Sequence, residues 1–312
     1  MALAATSAPT RRLDALIEAV LAGSVAPLHA PTEDDFHAAW VERSLSDHDP
    51  VAMAAAGGAL ADRFAWVFQS GYQATLRRAF PHSTVIEGWS ALANTEGVDG
   101  LPGTTLEGAS GARRLSGWKT WVAGADHVER LFVSATHNEL PILEVARGDE
   151  GVTIERSREG GYLPEFVQGR VLFEATPIDE SRVIDDPQAF PTFRGCEGAY
   201  VRVALNAFIL SHARRLQAPS LIARAVAGLL AAAGAVELPI PSNESAVAIG
   251  GVDAQTRALA DDFEALIATA DPELHERWMR DARMVRRSET LARRADDALA
   301  RLGLELPRPS SA

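Results

Sequence analysis

Apolar residues recur at helical spacing near both ends of the chain and in short, partly alternating runs between them. Over residues 12–22, Leu13, Leu16, Ile17, Val20 and Leu21 share one face, interrupted by Asp14 and Glu18, which predicts an amphipathic helix. Thr32 ahead of an acidic first turn predicts a capped helix over 33–46. Residues 50–80 carry the strongest helical pattern, Ala-rich with Phe64, Val67, Phe68, Tyr72 and Leu76, and Phe80-Pro81 should end it. From 84 to about 190 the texture changes. Short apolar runs at 130–136, 140–146, 151–157 and 169–178, separated by Gly, Asn, Asp and Pro, predict strands, and 186–191 reads as a turn or linker. Helical patterns return at 195–217, 219–234, 251–270 and 273–303, with a break over the PIPSNES stretch at 239–245.

Helices, then strands, then helices, with no βαβ alternation, predict an α+β chain rather than a doubly wound parallel sheet. The expected division is an N-terminal helical domain (1–83), a middle β domain of barrel or sandwich type (84–190) and a C-terminal helical bundle (191–312).

Composition narrows the chemistry. The chain has 312 residues, 47% of them apolar and 23% charged, enough to bury a substantial core. A net charge of −12 argues against nucleic acid or an anionic membrane as partner. Cys196 is the only cysteine, so no intrachain disulfide and no Cys-based metal site is expected. None of the eight histidines stands at H-x-x-x-H spacing, and no metal is expected. The chain lacks a G-x-S-x-G elbow, and its GVDGLPG glycines lack the strand-to-helix setting of a dinucleotide-binding loop. The N-terminus reads as an amphipathic helix rather than a signal peptide, and the longest apolar stretch, 225–236, is too short for a membrane span. With the single thiol, this points to a cytoplasmic protein.

The segment SGWKTWVAGA (116–125) concentrates two of the six tryptophans, Trp118 and Trp121, among small residues. Buried core or interface aromatics are the ordinary reading of such a pair. Thr95-Glu96 lies upstream of it, followed by GVDGLPGTTLEG, and ELHERWMRDAR (273–283) lies near the end. In order and spacing these three blocks resemble the acyl-CoA dehydrogenase family, whose middle domain carries T-E and then G-x-K-x-W, and whose C-terminal bundle carries E-R-x-x-R-D-A. The resemblance implies the family's three-domain fold and FAD. It places Trp121 against the flavin ring, Thr95 at the flavin's pyrimidine edge and Thr120 beside them. Ala123 stands where the family usually has Ser or Thr near flavin N5, which leaves only backbone N–H groups there. Thr104 or Thr105 would replace the serine of the family's Gly-Ser-Asp loop. Trp118 falls where the family varies and is read as structural.

The reaction implied is removal of an α-proton from acyl-CoA or a related thioester while a β-hydride passes to flavin, which requires a carboxylate base. Counting from Arg280-Asp281 places that base at Glu289, within RRSETLARR rather than the family's Y-E-G-T; a solvated helix charge near Arg286 and Arg293 is the competing reading. Glu197 and Glu244 are alternative bases. Arg194, Arg202, Arg214, Arg215 and Arg280 are candidate phosphate clamps, although the family's R-x-x-F-G block is missing. The implied partners are an electron-transfer flavoprotein, or oxygen as acceptor, and further copies of the chain in a homo-oligomer. The alternative is a non-catalytic protein of the same fold, acting as a partner subunit of a heteromeric dehydrogenase.

Overall fold

The computed structural model describes residues 8–83, 87–136, 141–157, 163–286 and 289–303. In chain order the first helices are α1 (Ala8–Ala22), α2 (Glu33–Glu42), α3 (Pro50–Leu60) and α4 (Phe64–Ala79). The strands are β1 (Trp89–Ala93), β2 (Thr105–Glu107), β3 (Arg114–Ala123), β4 (Val128–Ser134), β5 (Ile142–Ala146), β6 (Val152–Arg156), β7 (Gln168–Pro177) and β8 (Val183–Ile184). Then come α5 (Ala189–Arg215), α6 (Pro219–Val236), α7 (Asn243–Ala270), α8 (Pro272–Asp281), α9 (Arg283–Arg286) and α10 (Glu289–Arg301). The chain forms two compact units, one of residues 1–28, 49–75 and 191–312, the other of residues 29–48 and 76–190.

The first unit is helical. Every residue of α3 from Val51 to Leu60 is buried, and its small side chains allow close approach. A Cβ on Gly58 would overlap the backbone carbonyl of Ala204 on α5, so only glycine fits that crossing. Phe208, Phe263 and Trp278 pack edge-on and stacked at centroid distances of 5.3–6.1 Å, with Phe64 against Trp278 at 6.4 Å. This aromatic core gives Trp278, within the ELHERWMRDAR block, a structural task. Helix α6 is long and apolar enough to cross a membrane by length and composition alone. It buries one face, Leu221, Ala225, Gly228, Leu229, Ala232 and Ala233 among others, with Gly228 against Asn206 of α5.

Several helix boundaries differ from those the pattern predicts: α2 ends at Glu42 rather than 46, and α5 begins at Ala189, within the expected turn at 186–191. The single helix expected over 50–80 is two, separated at 61–63, where Asp62 and Arg63 form a bidentate buried pair at 2.8–2.9 Å. Helix α7 begins eight residues before the expected 251. Ser242 caps it in a reciprocal box with Ser245, and Gly250, mid-helix, receives Ala295 of α10. The continuous helix expected over 273–303 is interrupted after Asp281, and residues 287–288 lie outside the described residues.

The second unit holds two four-stranded sheets, ordered β1-β4-β5-β8 and β2-β3-β7-β6. The β1–β4 pair is parallel and the remaining pairs are antiparallel. Strands β1 and β3 were not distinguished as strands by the pattern of short apolar runs. Helix α2 belongs to this unit, and Trp40, His37, Trp89 and His127 pack together, with His37 stacked on His127 at 4.0 Å and edge-on to Trp89 at 5.0 Å. The Trp40 indole donates to the Ser46 hydroxyl (2.9 Å), which donates to the Glu87 carbonyl (2.9 Å).

Glu33 opens α2 and is 3% exposed. Its Oε2 accepts from the Val167 N–H at 2.6 Å, and its Oε1 has no hydrogen-bond partner among the described residues. Burial, reinforced by Asp126 and Asp34 against the pull of that N–H, pushes its pKa up to about 8. The native state therefore holds a proton on Glu33 that the unfolded chain releases near pH 4.5. Stability is fully retained below that pH and is lost as pH rises through about 8. We predict that Glu33→Gln, which keeps an acceptor for Val167, flattens the fall in stability between pH 5 and pH 9 by roughly 2–4 kcal/mol. Chemical denaturation at the two pH values checks this; parallel curves for both proteins would refute it.

Candidate functional site

The sequence blocks Thr95-Glu96 and Gly117-x-Lys119-x-Trp121 come together in the sheet unit, and what joins them is a buried ion pair. Lys119 is fully buried on β3 and pairs with Glu96, whose side chain is 16% exposed. The same carboxylate accepts from the Thr104 hydroxyl (2.8 Å) and backbone N–H (3.2 Å). Lys119 also donates to Ser134 Oγ (3.0 Å), which donates to Asn94 Oδ1 (2.8 Å). Burial lowers the Lys119 pKa, while its bond and charge contact with Glu96 oppose the change. For Glu96, burial pushes upward, but the bonds from Lys119 and Thr104 outweigh it and hold the carboxyl below its ordinary range.

Gly117 makes this closure possible. Its φ is +111°, and a Cβ there would overlap the carbonyl of Gly103. Glycine thus lets the loop before β2 lie directly on β3, where the Trp118 N–H donates to the Pro102 carbonyl at 3.0 Å. The loop then delivers Thr104 to Glu96. Thr104 is buried and its hydroxyl is directed at Glu96 and the Ala135 carbonyl, whereas Thr105 is exposed on β2.

The register of β3 against β7 shifts between Lys119 and Val122. Lys119 and Val122 are both buried although three positions apart, and the irregularity leaves Thr120 and Trp121 between them half-buried. Bulges commonly re-aim side chains in this way. The Trp121 indole N–H donates to Gln168 Oε1 at 3.3 Å. The Thr95 carbonyl accepts from the Thr120 N–H (2.8 Å) and hydroxyl (3.1 Å), which holds Thr95 against β3 at the residue next to Trp121 in sequence. Ala123, paired with Gln168, is fully buried. Trp118 carries the Arg170 guanidinium over its ring at 5.0 Å, as suits a structural residue. Asn94, Ser134 and Gln168 complete the surroundings; no motif in the sequence points to them.

A second feature lies within the helical unit. A cavity of about 360 Å³ is lined by Phe64 and Phe68 of α4, by Glu197, Val201 and Arg202 of α5, and by Met284 and Leu291. Burial raises the Glu197 pKa against the opposing charge of Arg294. Glu289 is the first residue of α10, and its side chain lies outside the described residues; Thr290 and Leu291 beside it line the same cavity. Glu244 is exposed in the first turn of α7, where an acid favours the helix N-terminus. Several candidate phosphate clamps are committed internally. Arg202 pairs with buried Asp253, Arg214 donates to the Leu21 carbonyl, Arg215 pairs with Asp271, and Arg280 pairs with Asp281. Arg194 lines the cavity with Glu197.

No protein-family model and no curated protein matches the sequence. Solved structures do. Apo-form PigA matches with a TM-score of 0.69 at 14% identity, over 98% of this chain and 100% of its own, and the FAD complex of PigA with a TM-score of 0.62 at 13% identity, over 97% and 100%. The prolyl acyl carrier protein oxidase AnaB matches with a TM-score of 0.62 at 12% identity, over 96% and 99%. A Mycobacterium smegmatis protein provisionally described as an acyl-CoA dehydrogenase gives 0.60 at 14% identity, over 96% and 99%. The chain therefore has the α+β acyl-CoA dehydrogenase-like fold.

Proposed function

We propose that this chain is an FAD-dependent oxidoreductase that removes hydrogens from the α and β carbons of an acyl thioester, carried on CoA or on a carrier protein. The observation that carries the reading is likeness over nearly the whole chain to PigA, a protein recorded in complex with FAD. The donor set of Thr95, Thr120 and Trp121 fits the cofactor. Trp121 is half-buried, offering flat apolar area for an isoalloxazine, and Thr95 and Thr120 bring uncharged hydroxyls and backbone groups suited to its polar edge. Ala123 adds no side-chain donor, so any tuning there falls to the backbone.

Bound FAD would supply the hydride acceptor. The chain's own part is to hold the acyl group and take the α-proton on a carboxylate. Phe64, Phe68, Val201 and Leu291 give the cavity an apolar wall that excludes water from an acyl group, and Glu197 supplies a carboxylate in it. Glu289 is the other proposed base, reached by its position in the sequence rather than by a described contact. Reoxidation by an electron-transfer flavoprotein or oxygen, and assembly as a homo-oligomer, belong to the same reading.

The buried Glu96–Lys119 pair supports the second reading, a non-catalytic partner subunit of the same fold, because it gives one residue of each block a task that needs no flavin. One experiment separates the two. The purified chain is incubated with FAD, desalted and scanned for a flavin band, alongside Trp121→Ala. A near-stoichiometric band, with the variant binding FAD roughly tenfold or more weakly, is the expected result. A colourless chain that takes up no FAD would overturn the proposal and leave the partner-subunit reading.

A further inference from the structure

Glu33 opens α2 beside two exposed acids, Asp34 and Asp35, yet its own side chain is turned inward. A buried carboxyl group needs a partner. The partner is the Val167 N–H, 2.6 Å from Oε2. Val167 stands just ahead of β7, outside the ladders that β7 makes with β3 and β6, so its N–H has no strand to bond. Its carbonyl accepts from the Ala125 N–H at 3.0 Å, just past the end of β3. Glu33 and Ala125 thus hold Val167 at its two backbone polar groups.

The next residue is Gln168, whose Oε1 accepts from the Trp121 indole N–H at 3.3 Å. This contact matters because the β3–β7 register passes from Lys119 to Val122 and skips Thr120 and Trp121. The indole N–H therefore meets a side chain whose backbone position depends on Val167. The base from which Glu33 projects is itself braced. Asp34 and His127 Nε2 are hydrogen-bonded at 2.7 Å, and His127 stacks on His37 of α2. In the same turn between β3 and β4, Asp126 accepts from Arg156 Nε of β6 at 2.7 Å. Helix α2 is fixed to the segment that follows β3, and Glu33 reaches from it to the start of β7.

We propose that Glu33 is a positioning residue for the flavin site: through the Val167 N–H it sets the start of β7, and with it the Gln168 amide that orients the Trp121 indole. This rests on the flavin reading above, in which Trp121 meets the isoalloxazine. With its pKa pushed up to about 8 by burial, Glu33 is protonated at neutral pH, so Glu33→Gln imitates its working form. Glu33→Ala removes the acceptor.

The test measures FAD affinity at pH 7 for the wild type, Glu33→Gln, Glu33→Ala, Gln168→Ala and the double variant Glu33→Ala/Gln168→Ala. Glu33→Ala and Gln168→Ala should each weaken binding about fivefold, and Glu33→Gln should stay within about twofold of the wild type. Residues acting along one chain of contacts do not add, so the double variant should also lose about fivefold; independent effects would multiply to about 25-fold. A structural defect alone lowers melting and gives no such coupling. Amide hydrogen exchange over 166–168, followed without FAD, should quicken about fivefold in Glu33→Ala and not in Glu33→Gln. If Glu33→Ala does not fold, Glu33→Asp, which withdraws the carboxyl group by one methylene, should show the same changes in smaller degree. Wild-type FAD affinity in the Glu33 variants, a multiplicative loss in the double variant, or unaltered exchange would each overturn the positioning role while leaving the flavin reading in place. A wild type that takes up no FAD would instead overturn the flavin reading, and a role at a flavin site with it, even where exchange shows Glu33 holding the start of β7.

Discussion

Lys119→Met should lower the unfolding free energy by about 3 kcal/mol, the largest loss expected from a single side chain in the sheet unit. The lysine is fully buried, and its removal leaves Glu96 with only Thr104 as partner in a site largely withdrawn from water. Taking away one member of a buried pair typically costs about 3–5 kcal/mol, because the survivor's charge is then uncompensated. The lower end applies here, since Glu96 retains some solvent access and the Thr104 bonds. Methionine keeps the volume, so little of the loss comes from a cavity. If the charge left behind is the cause, Lys119→Met combined with Glu96→Leu should be less destabilised than Lys119→Met alone. Equilibrium denaturation of the two single variants and the double variant gives the answer. A double variant that loses as much as the sum of its parts would show the pair to be uncoupled.

That pair also shows what the sequence disclosed and what it did not. Thr95-Glu96 and Lys119-x-Trp121 stand out as motifs by spacing, and their spacing invites a cofactor explanation. In the folded chain Glu96 and Lys119 bind each other, so these two residues have a structural task that needs no cofactor. Thr95, Thr120 and Trp121 are half-buried and stand outside that ion pair. A strand pattern distinguishes inward from outward positions only where it alternates strictly, and the irregularity in β3 breaks that alternation at Thr120 and Trp121.

The helix–strand–helix order and the α+β class were legible because periodicity over ten or more residues survives local exceptions. The breaks at 61–63 and after Asp281 were not, since apolar spacing continues across both. The early start of α7 was signalled by Ser242 three residues ahead of Ser245, a weak form of the capping box that is outweighed by the surrounding Pro and Gly. Glu197 carried no motif at all. Its interest arises from burial beside Phe64 and Phe68, residues more than a hundred positions away in the sequence.

Glu197→Gln should slow anaerobic bleaching of the bound flavin by an acyl thioester by roughly 10²–10⁴-fold, with FAD content unchanged. Glutamine keeps the shape and polarity of the side chain and cannot accept a proton at neutral pH, so the loss isolates the base from the packing. The pH profile adds a second signature. A base works only when deprotonated, and burial raises the Glu197 pKa, so wild-type bleaching should climb at a pH above the ordinary carboxylate range. That limb should vanish in the variant. Folding gives an independent control. A carboxyl whose native pKa is raised loses stabilisation as pH increases, so Glu197→Gln should melt no lower than the wild type at pH 8, and a drop would signal a packing defect instead. Glu289→Gln serves as the paired measurement. If Glu197→Gln bleaches normally and Glu289→Gln does not, the proton goes to the carboxylate at the head of α10, and the Glu197 cavity only shapes the acyl group.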